Sequence, residues 1–257
     1  MKRPLSLSAA DLKYLAALCM LLDHMGVVFP QLFSGLGLPA ALDLLPRCAG
    51  RLAFPIFAYF VAEGCRRTRF FHRYLLRLGV FALVSQVPYT LATGIWGGNV
   101  ILTFFLAAAA VYGFERLVKA EYSLAVAALP LLGACVLALL LNTDYGFPAV
   151  LLVFGLYLCG EDRRRLLLCL GAGLAVIYLV CGPLMGFLAL PVLLPQLVGA
   201  YLAAAIPSAL ACCLCAELSL LPLACYRGQL GLQSKWFFYG FYPAHLLGLW
   251  ALGLAVN

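Results

Sequence analysis

The stretch LKYLAALCMLLDHMGVVF, Leu12–Phe29, decides the fold class. It is apolar over almost the length a helix needs to cross a hydrocarbon core, about twenty residues at 1.5 Å each. Yet it carries Asp23 and His24 side by side, the residues least at home in lipid. Working outward, the 257-residue chain is 65% hydrophobic and 11% charged, and its mean hydropathy is +1.04. A soluble domain carries about a quarter charged residues. Comparable apolar runs recur to the end of the chain with short polar breaks. The reading is therefore an all-α, polytopic membrane helix bundle of about 9–10 transmembrane helices, one domain over residues 1–257, with the lipid bilayer as its solvent.

Expected spans run from about Leu12 to Phe29, Arg51 to Cys65, Tyr74 to Gly94, Val100 to Val118, Leu124 to Leu141, Phe147 to Gly160, Leu166 to Cys181 and Trp236 to Val256. Pro183 to Tyr226 is nearly uncharged and broken by Pro191, Pro195, Pro207 and Pro222, so two spans, or one span and a re-entrant piece, both fit. Ten helices are expected, with nine as the alternative. Met1–Arg3 is basic, but the following run holds Asp23 and His24 and lacks a small-residue cleavage site, so a retained first helix is expected rather than a signal peptide.

Lys and Arg collect in cytoplasmic loops. With alternating spans, Lys2/Arg3/Lys13, Arg66/Arg67/Arg69/Arg73, Arg116/Lys119 and Arg163/Arg164/Arg165 fall on one side. The expectation is a multi-pass protein of the cell inner or plasma membrane with a cytoplasmic amino terminus. Orientation accounts for the net charge of +7 and leaves no reason to invoke nucleic acid. The eleven cysteines sit almost all in apolar runs, and the Cys212/Cys213/Cys215 group lacks a second ligand pair at zinc spacing. They read as small buried hydrophobes, and no metal is expected.

An ionisable group within a bilayer costs about 3 kcal/mol or more unless it faces protein or water, so each intramembrane one is a candidate site residue. His24 lies about 16 Å of helix beyond Lys13. Adjacent helical residues point about 100° apart, so Asp23 and His24 should serve different neighbours. The structural alternative is a helix that ends early and leaves both in the headgroup region. In GRLAFPIFAYFVAEG, Gly50–Gly64, Arg51 at one end could partner Asp23 or snorkel outward, and Glu63 at the other could simply pair with Arg66 or Arg67. In RRTRFFHRYLLRL, Arg66–Leu78, Arg69, Arg73 and Arg77 recur every four residues, either as a phosphate cradle or as a positive-inside anchor, which explains Arg77 poorly.

Three more places combine polar side chains with turn chemistry. NVILT sets Asn99 and Thr103 one turn apart. TDYGFP, Thr143–Pro148, is a turn in which Asp144 has a structural role to play regardless. KWFFYGFYPAHLLGLW, Lys235–Trp250, carries His245 near mid-membrane with Tyr242 a turn before it, and Pro243 should kink the helix and free a carbonyl nearby.

These stretches, with LAALCMLLDHMG, GRLAFPIFAYFVAEGCRRT, YLLRLGVFALVSQVPY, YRGQLG and KWFFYGFYPAHLL in that order, resemble the TraX family. That family is named for the conjugation protein that acetylates the amino terminus of F pilin, and it looks related to a wider superfamily of integral-membrane acyltransferases. The resemblance implies an enzyme, an acetyl-CoA-dependent acyltransferase. In it His24 is the catalytic histidine and Asp23 orients or charge-balances it, while Arg51, Glu63, Asn99, Asp144, Tyr239, Tyr242, His245 and Arg77 line the cavity. The partners implied are acyl-CoA and an unidentified peptide or small-molecule acceptor.

The chemistry of the residues is compatible. Acyl transfer needs a base near neutrality and donors for an oxyanion, for which Tyr242, Asn99, an arginine or His245 are candidates. CoA needs cations for its phosphates, and Arg69, Arg73 and Arg77 lie on the side expected to be cytoplasmic. Two other classes compete: a proton-coupled transporter relaying protons through Asp23, His24 and His245, and a non-catalytic assembly factor held together by interhelical hydrogen bonds. Substrate accumulation that follows a pH gradient without CoA release would mark the first. Activity that survives loss of both histidines would mark the second.

Overall fold

Ser8 starts the first helix of the computed structural model, which describes residues 6–30, 45–188, 195–232 and 235–256. Its hydroxyl accepts from the Asp11 amide while Asp11 reaches back to the Ser8 amide, closing a capping box. The helix, α1 (Ala9–Val28), then continues past Asp23 and His24, so the early-ending alternative does not hold.

A short helix α2 (Leu45–Gly50) leads into α3 (Ala53–Arg67), where Pro55 is tolerated because it lies in the first turn. Next come α4 (Phe71–Thr93), closed by Gly94 in the left-handed conformation at φ 70°, and α5 (Val100–Lys119), opened by Asn99. After α6 (Leu124–Ala127) and α7 (Leu129–Leu140), a turn at residues 141–145 leads to α8 (Gly146–Leu158). The helix α9 (Arg163–Ala175) runs through a π-helical segment, Val176–Cys181, into α10 (Gly182–Leu188). The chain closes with α11 (Pro195–Glu217), α12 (Leu220–Ala224) and α13 (Lys235–Val256).

The protein is an all-α membrane helix bundle. Phe71–Thr93, Val100–Lys119, Arg163–Gly186 and Tyr201–Ala224 are long and apolar enough to cross a membrane. Leu76, Leu83 and Val87 of α4 and Leu214 of α11 are more than three-fifths exposed, a surface that only lipid solvates well. Among the described residues, Arg163–Leu188 behaves as one continuous span with a π turn. Residues 195–224 form one further crossing interrupted at 218–219. Among the described residues this gives nine helical segments running between the two ends of the bundle, within the nine to ten expected; Pro191 lies outside the described residues.

The short α2 packs against α1, α4 packs against α13, and α5 sits centrally against α4, α7 and α8. Gly50 touches α1 so closely that a Cβ would overlap the side chain of Asp23. Leu7 and Ala9 donate to the carbonyls of Cys225 and Gln229 at 3.1 and 2.8 Å, so the start of α1 and the loop before α13 lie at one end. That end, the basic end of the bundle, also carries Arg66, Arg67, Arg163 and Arg227.

Candidate active site

Asp23 and His24 diverge as helical geometry predicts. Arg47 Nη1 lies 2.8 Å and Arg51 Nη2 3.5 Å from Asp23 Oδ1. Arg51 also donates to the Arg47 carbonyl at 3.2 Å and to the Tyr145 hydroxyl at 3.3 Å, so it faces inward rather than snorkelling. His24 turns instead to α13, where His245 Nε2 lies 2.9 Å from His24 Nδ1.

The second histidine fixes the tautomer of the first. His245 Nδ1 is 2.7 Å from the Phe241 carbonyl, which can only accept, so this nitrogen carries a proton. With both rings neutral, His245 Nε2 is a lone pair and must accept from His24 Nδ1–H. His24 Nε2 is then left unprotonated, the form a general base requires. Phe241 stacks on His245 at 4.8 Å between centroids and limits its rotation. The carbonyl that Pro243 should free is that of Tyr239, four residues back, so it is not the one His245 uses.

Asp23 and His24 line a small chamber of about 40 Å³ together with Asp144, Tyr145 and Tyr242. The chamber shares Met20, Phe57, Val100, Phe104 and Tyr242 with a cavity of about 290 Å³ that extends to Lys13 and Arg77. Through Asp144 and Tyr145 it adjoins a third cavity, of about 300 Å³, which reaches Arg51 and Tyr178. His24 therefore stands at the narrow junction of two larger spaces. Tyr242, also shared between chamber and cavity, has a buried hydroxyl that makes no hydrogen bond of good geometry among the described residues.

The remaining expected positions divide. Tyr239 lines the 290 Å³ cavity and stacks on Phe81 at 4.8 Å. Arg77 lines it too, with a buried Nε that has no hydrogen-bond partner. Arg69 and Arg73 do not join Arg77: both lie outside, exposed, with their guanidinium carbons 5.4 and 4.8 Å from the Phe70 ring centre. Glu63 does not line the central spaces either. It is buried on another face of α3, paired with Arg67 at 3.2 Å and accepting from Tyr226 at 3.1 Å, close to the helix-end pairing that its position also allowed.

Asn99 is wholly engaged as the cap of α5. Its side-chain oxygen accepts from the Ile101 and Leu102 amides, while its amide donates to the Ala82 carbonyl and Gln86 Oε1. No donor is left for an oxyanion. Thr103 is likewise a strut, its hydroxyl donating to the Asp144 carbonyl at 2.7 Å.

Arg47, Tyr145 and Lys13 join the site from positions where the sequence carries no site expectation. Arg47 was detectable, since it precedes Arg51 by four residues and so shares a helical face with it. Tyr145 was not: it holds a left-handed φ of 60°, uncommon for a bulky residue, secured by stacking on Phe54 at 3.9 Å. Nothing local in TDYGFP announces that contact.

No solved structure matches the chain. A 90-residue stretch is 34% identical to the "Probable fimbrial assembly protein FimC, serogroup H1" of Dichelobacter nodosus, covering 35% of this chain and 34% of that protein. The chain thus spans about a third of the length of that curated relative. The family model described as "TraX protein" matches residues 8–253, a range that contains α1 to α12, His24, His245 and nearly all of α13. From the helix that carries His24 to the helix that carries His245, the chain belongs to the TraX family.

Proposed function

We propose that this protein is an integral-membrane acyltransferase that moves an acyl group, acetyl by family precedent, from acyl-CoA to an amine or hydroxyl acceptor, with His24 as general base. The observation that carries this reading is the Phe241–His245–His24 chain, which leaves His24 Nε2 unprotonated at the junction of two cavities. An acceptor amine attacks the thioester carbonyl carbon, so that a C–N bond forms and the C–S bond breaks. The amine proton passes to His24 Nε2 and from there to the departing thiolate. Tyr242 is the available donor for the oxyanion.

The 290 Å³ cavity, largely apolar but lined also by Lys13 and Arg77, suits the donor. The unpartnered Nε of Arg77 favours an anion there. The basic end is then cytoplasmic, where acyl-CoA is available, and the acceptor enters through the cavity beside Arg51, Asp144 and Tyr145. A peptide amino terminus of the pilin kind is the acceptor suggested by the family's founding member and by the relative's name. The test is transfer in vesicles supplied with acyl-CoA and a candidate acceptor. His24→Ala should lose about 10²–10⁴-fold in rate while still inserting and folding. Full activity in that variant would remove the assignment.

A further inference from the structure

Separate from the central cavities, the basic end holds a pocket of about 300 Å³ into which four arginines converge from three parts of the chain. Arg66 and Arg67 come from the end of α3, Arg163 from the first turn of α9, and Arg227 from the loop before α13. Two carboxylates also line it, Glu63 and Glu161. Glu63 is already matched by Arg67 and the Tyr226 hydroxyl, so the surplus charge is positive.

The remaining guanidinium groups are mostly uncommitted. Arg66 spends one donor on the Leu156 carbonyl at 2.7 Å, whereas Arg163 and Arg227 make no ion pair among the described residues. The thirteen-residue α9 begins at this pocket and adds the positive end of its dipole. Positive-inside anchoring explains arginines scattered at a membrane face, but not their convergence on one hollow walled by Tyr59 and Tyr226.

The loop that supplies Tyr226 and Arg227 is held firmly. The Leu7, Ala9 and Ala10 amides donate to the carbonyls of Cys225, Gln229 and Leu230. The Tyr226 ring meets Phe60 and Tyr59 edge-on at 5.5 and 6.0 Å. This fixes a segment, YRGQLG, to which the acyl-transfer reading gives no task. Phe60 also lines the donor cavity, and Glu63 is followed directly by Gly64, which lines it too. The two spaces are therefore neighbours around the last turns of α3.

We infer that this pocket binds a phosphate-bearing ligand through Arg66, Arg163 and Arg227, with Tyr59 and Tyr226 as its aromatic wall. Planar, multidentate guanidinium groups are suited to phosphate oxygens. Two sources supply that chemistry at this end: the phosphorylated nucleotide end of CoA, and an anionic phospholipid headgroup. The first identification rests on the acyl-transfer reading; the anion site itself does not.

The experiment places wild-type protein, Arg163→Ala/Arg227→Ala and His24→Ala in nanodiscs of phosphatidylcholine with and without phosphatidylglycerol. The probes are CoA and adenosine 3′,5′-bisphosphate, read by calorimetry, and phosphatidylglycerol retention, read by native mass spectrometry. Tenfold or greater weakening of bisphosphate binding in the double-arginine variant, with His24→Ala binding like wild type, supports the site and assigns it to the nucleotide. Loss of retained phosphatidylglycerol from the same variant, with no nucleotide bound by any form, supports it and assigns it to lipid. Unchanged binding and retention in the double-arginine variant overturns it. That result, with transfer still dependent on His24, would leave the acyl-transfer reading standing. Absence of acyl transfer by the wild-type protein beside an arginine-dependent bisphosphate site would do the reverse.

Discussion

At the residue scale, the proposed mechanism gives His24 and His245 unequal work. In that proposal His245 does not touch substrate but holds His24 in one tautomer through their 2.9 Å contact. His245→Ala should therefore lower kcat at least tenfold with little change in KM for acyl-CoA. His245→Gln, whose amide oxygen can accept from His24 Nδ1–H, should recover part of the loss. Equal loss in the two variants would reduce His245 to packing. Asp23 poses a different problem, that of a mostly buried carboxylate shared by two arginines. Removing every partner of a buried charge costs about 3–5 kcal/mol. Arg47→Ala alone should thus lower thermal stability in detergent less than Arg47→Ala/Arg51→Ala. If each single variant is as damaging as the pair, the arginines do not substitute for one another at Asp23.

At the scale of elements, what brings the site together is how helices begin and turn. Asn99 caps α5 and ties it to α4 through Ala82 and Gln86, and Gln86 in turn donates to the Gly97 carbonyl. Across the bundle the Asp144 amide donates to the Gly98 carbonyl at 2.7 Å, so the turn carrying Asp144 and Tyr145 is registered against the same cap. Asn99→Ala removes the cap and strands buried polar partners, at a cost of about 2 kcal/mol or more. Chemical denaturation in mild detergent would measure it, and a variant as stable as wild type would contradict the capping role. The π-helical segment at Val176–Cys181 places Tyr178 edge-on to Tyr145, at 6.4 Å between ring centroids. The described helices show this arrangement, and the apolar pattern of Leu166 to Cys181 gives no hint of it.

At the scale of the whole molecule, the basic end and the proposed donor entrance coincide. If that end faces the cytoplasm, a cysteine at Trp96, which is 92% exposed at the opposite end, should react with an impermeant maleimide in intact cells. Glu161→Cys, at the basic end, should react only after permeabilisation. The measurement needs a background with the native cysteines replaced, and the reverse labelling would invert the proposed topology. The α-helical membrane class was legible in the sequence because hydropathy depends on composition along the chain, not on who meets whom. Individual site positions were less legible. Asn99, Glu63 and Arg69 carry chemistry that suits a site, yet the fold uses them for a cap, a helix-end pair and a surface stack.

By itself the sequence determined a helical membrane bundle, the divergence of Asp23 from His24, and the short set of polar residues from which a site could be built. Those follow from local quantities: apolar length, helical period and the cost of a charge in lipid. Only the tertiary structure decided that His24 meets His245, 221 residues away in sequence, and that Asp23 is shared between Arg47 and Arg51. It alone separates the Arg77 cavity from the four-arginine pocket on the other side of α3. Pairing between distant helices depends on packing and on hydrogen bonds that must be satisfied within the bundle, and neither is written in the neighbourhood of any one residue.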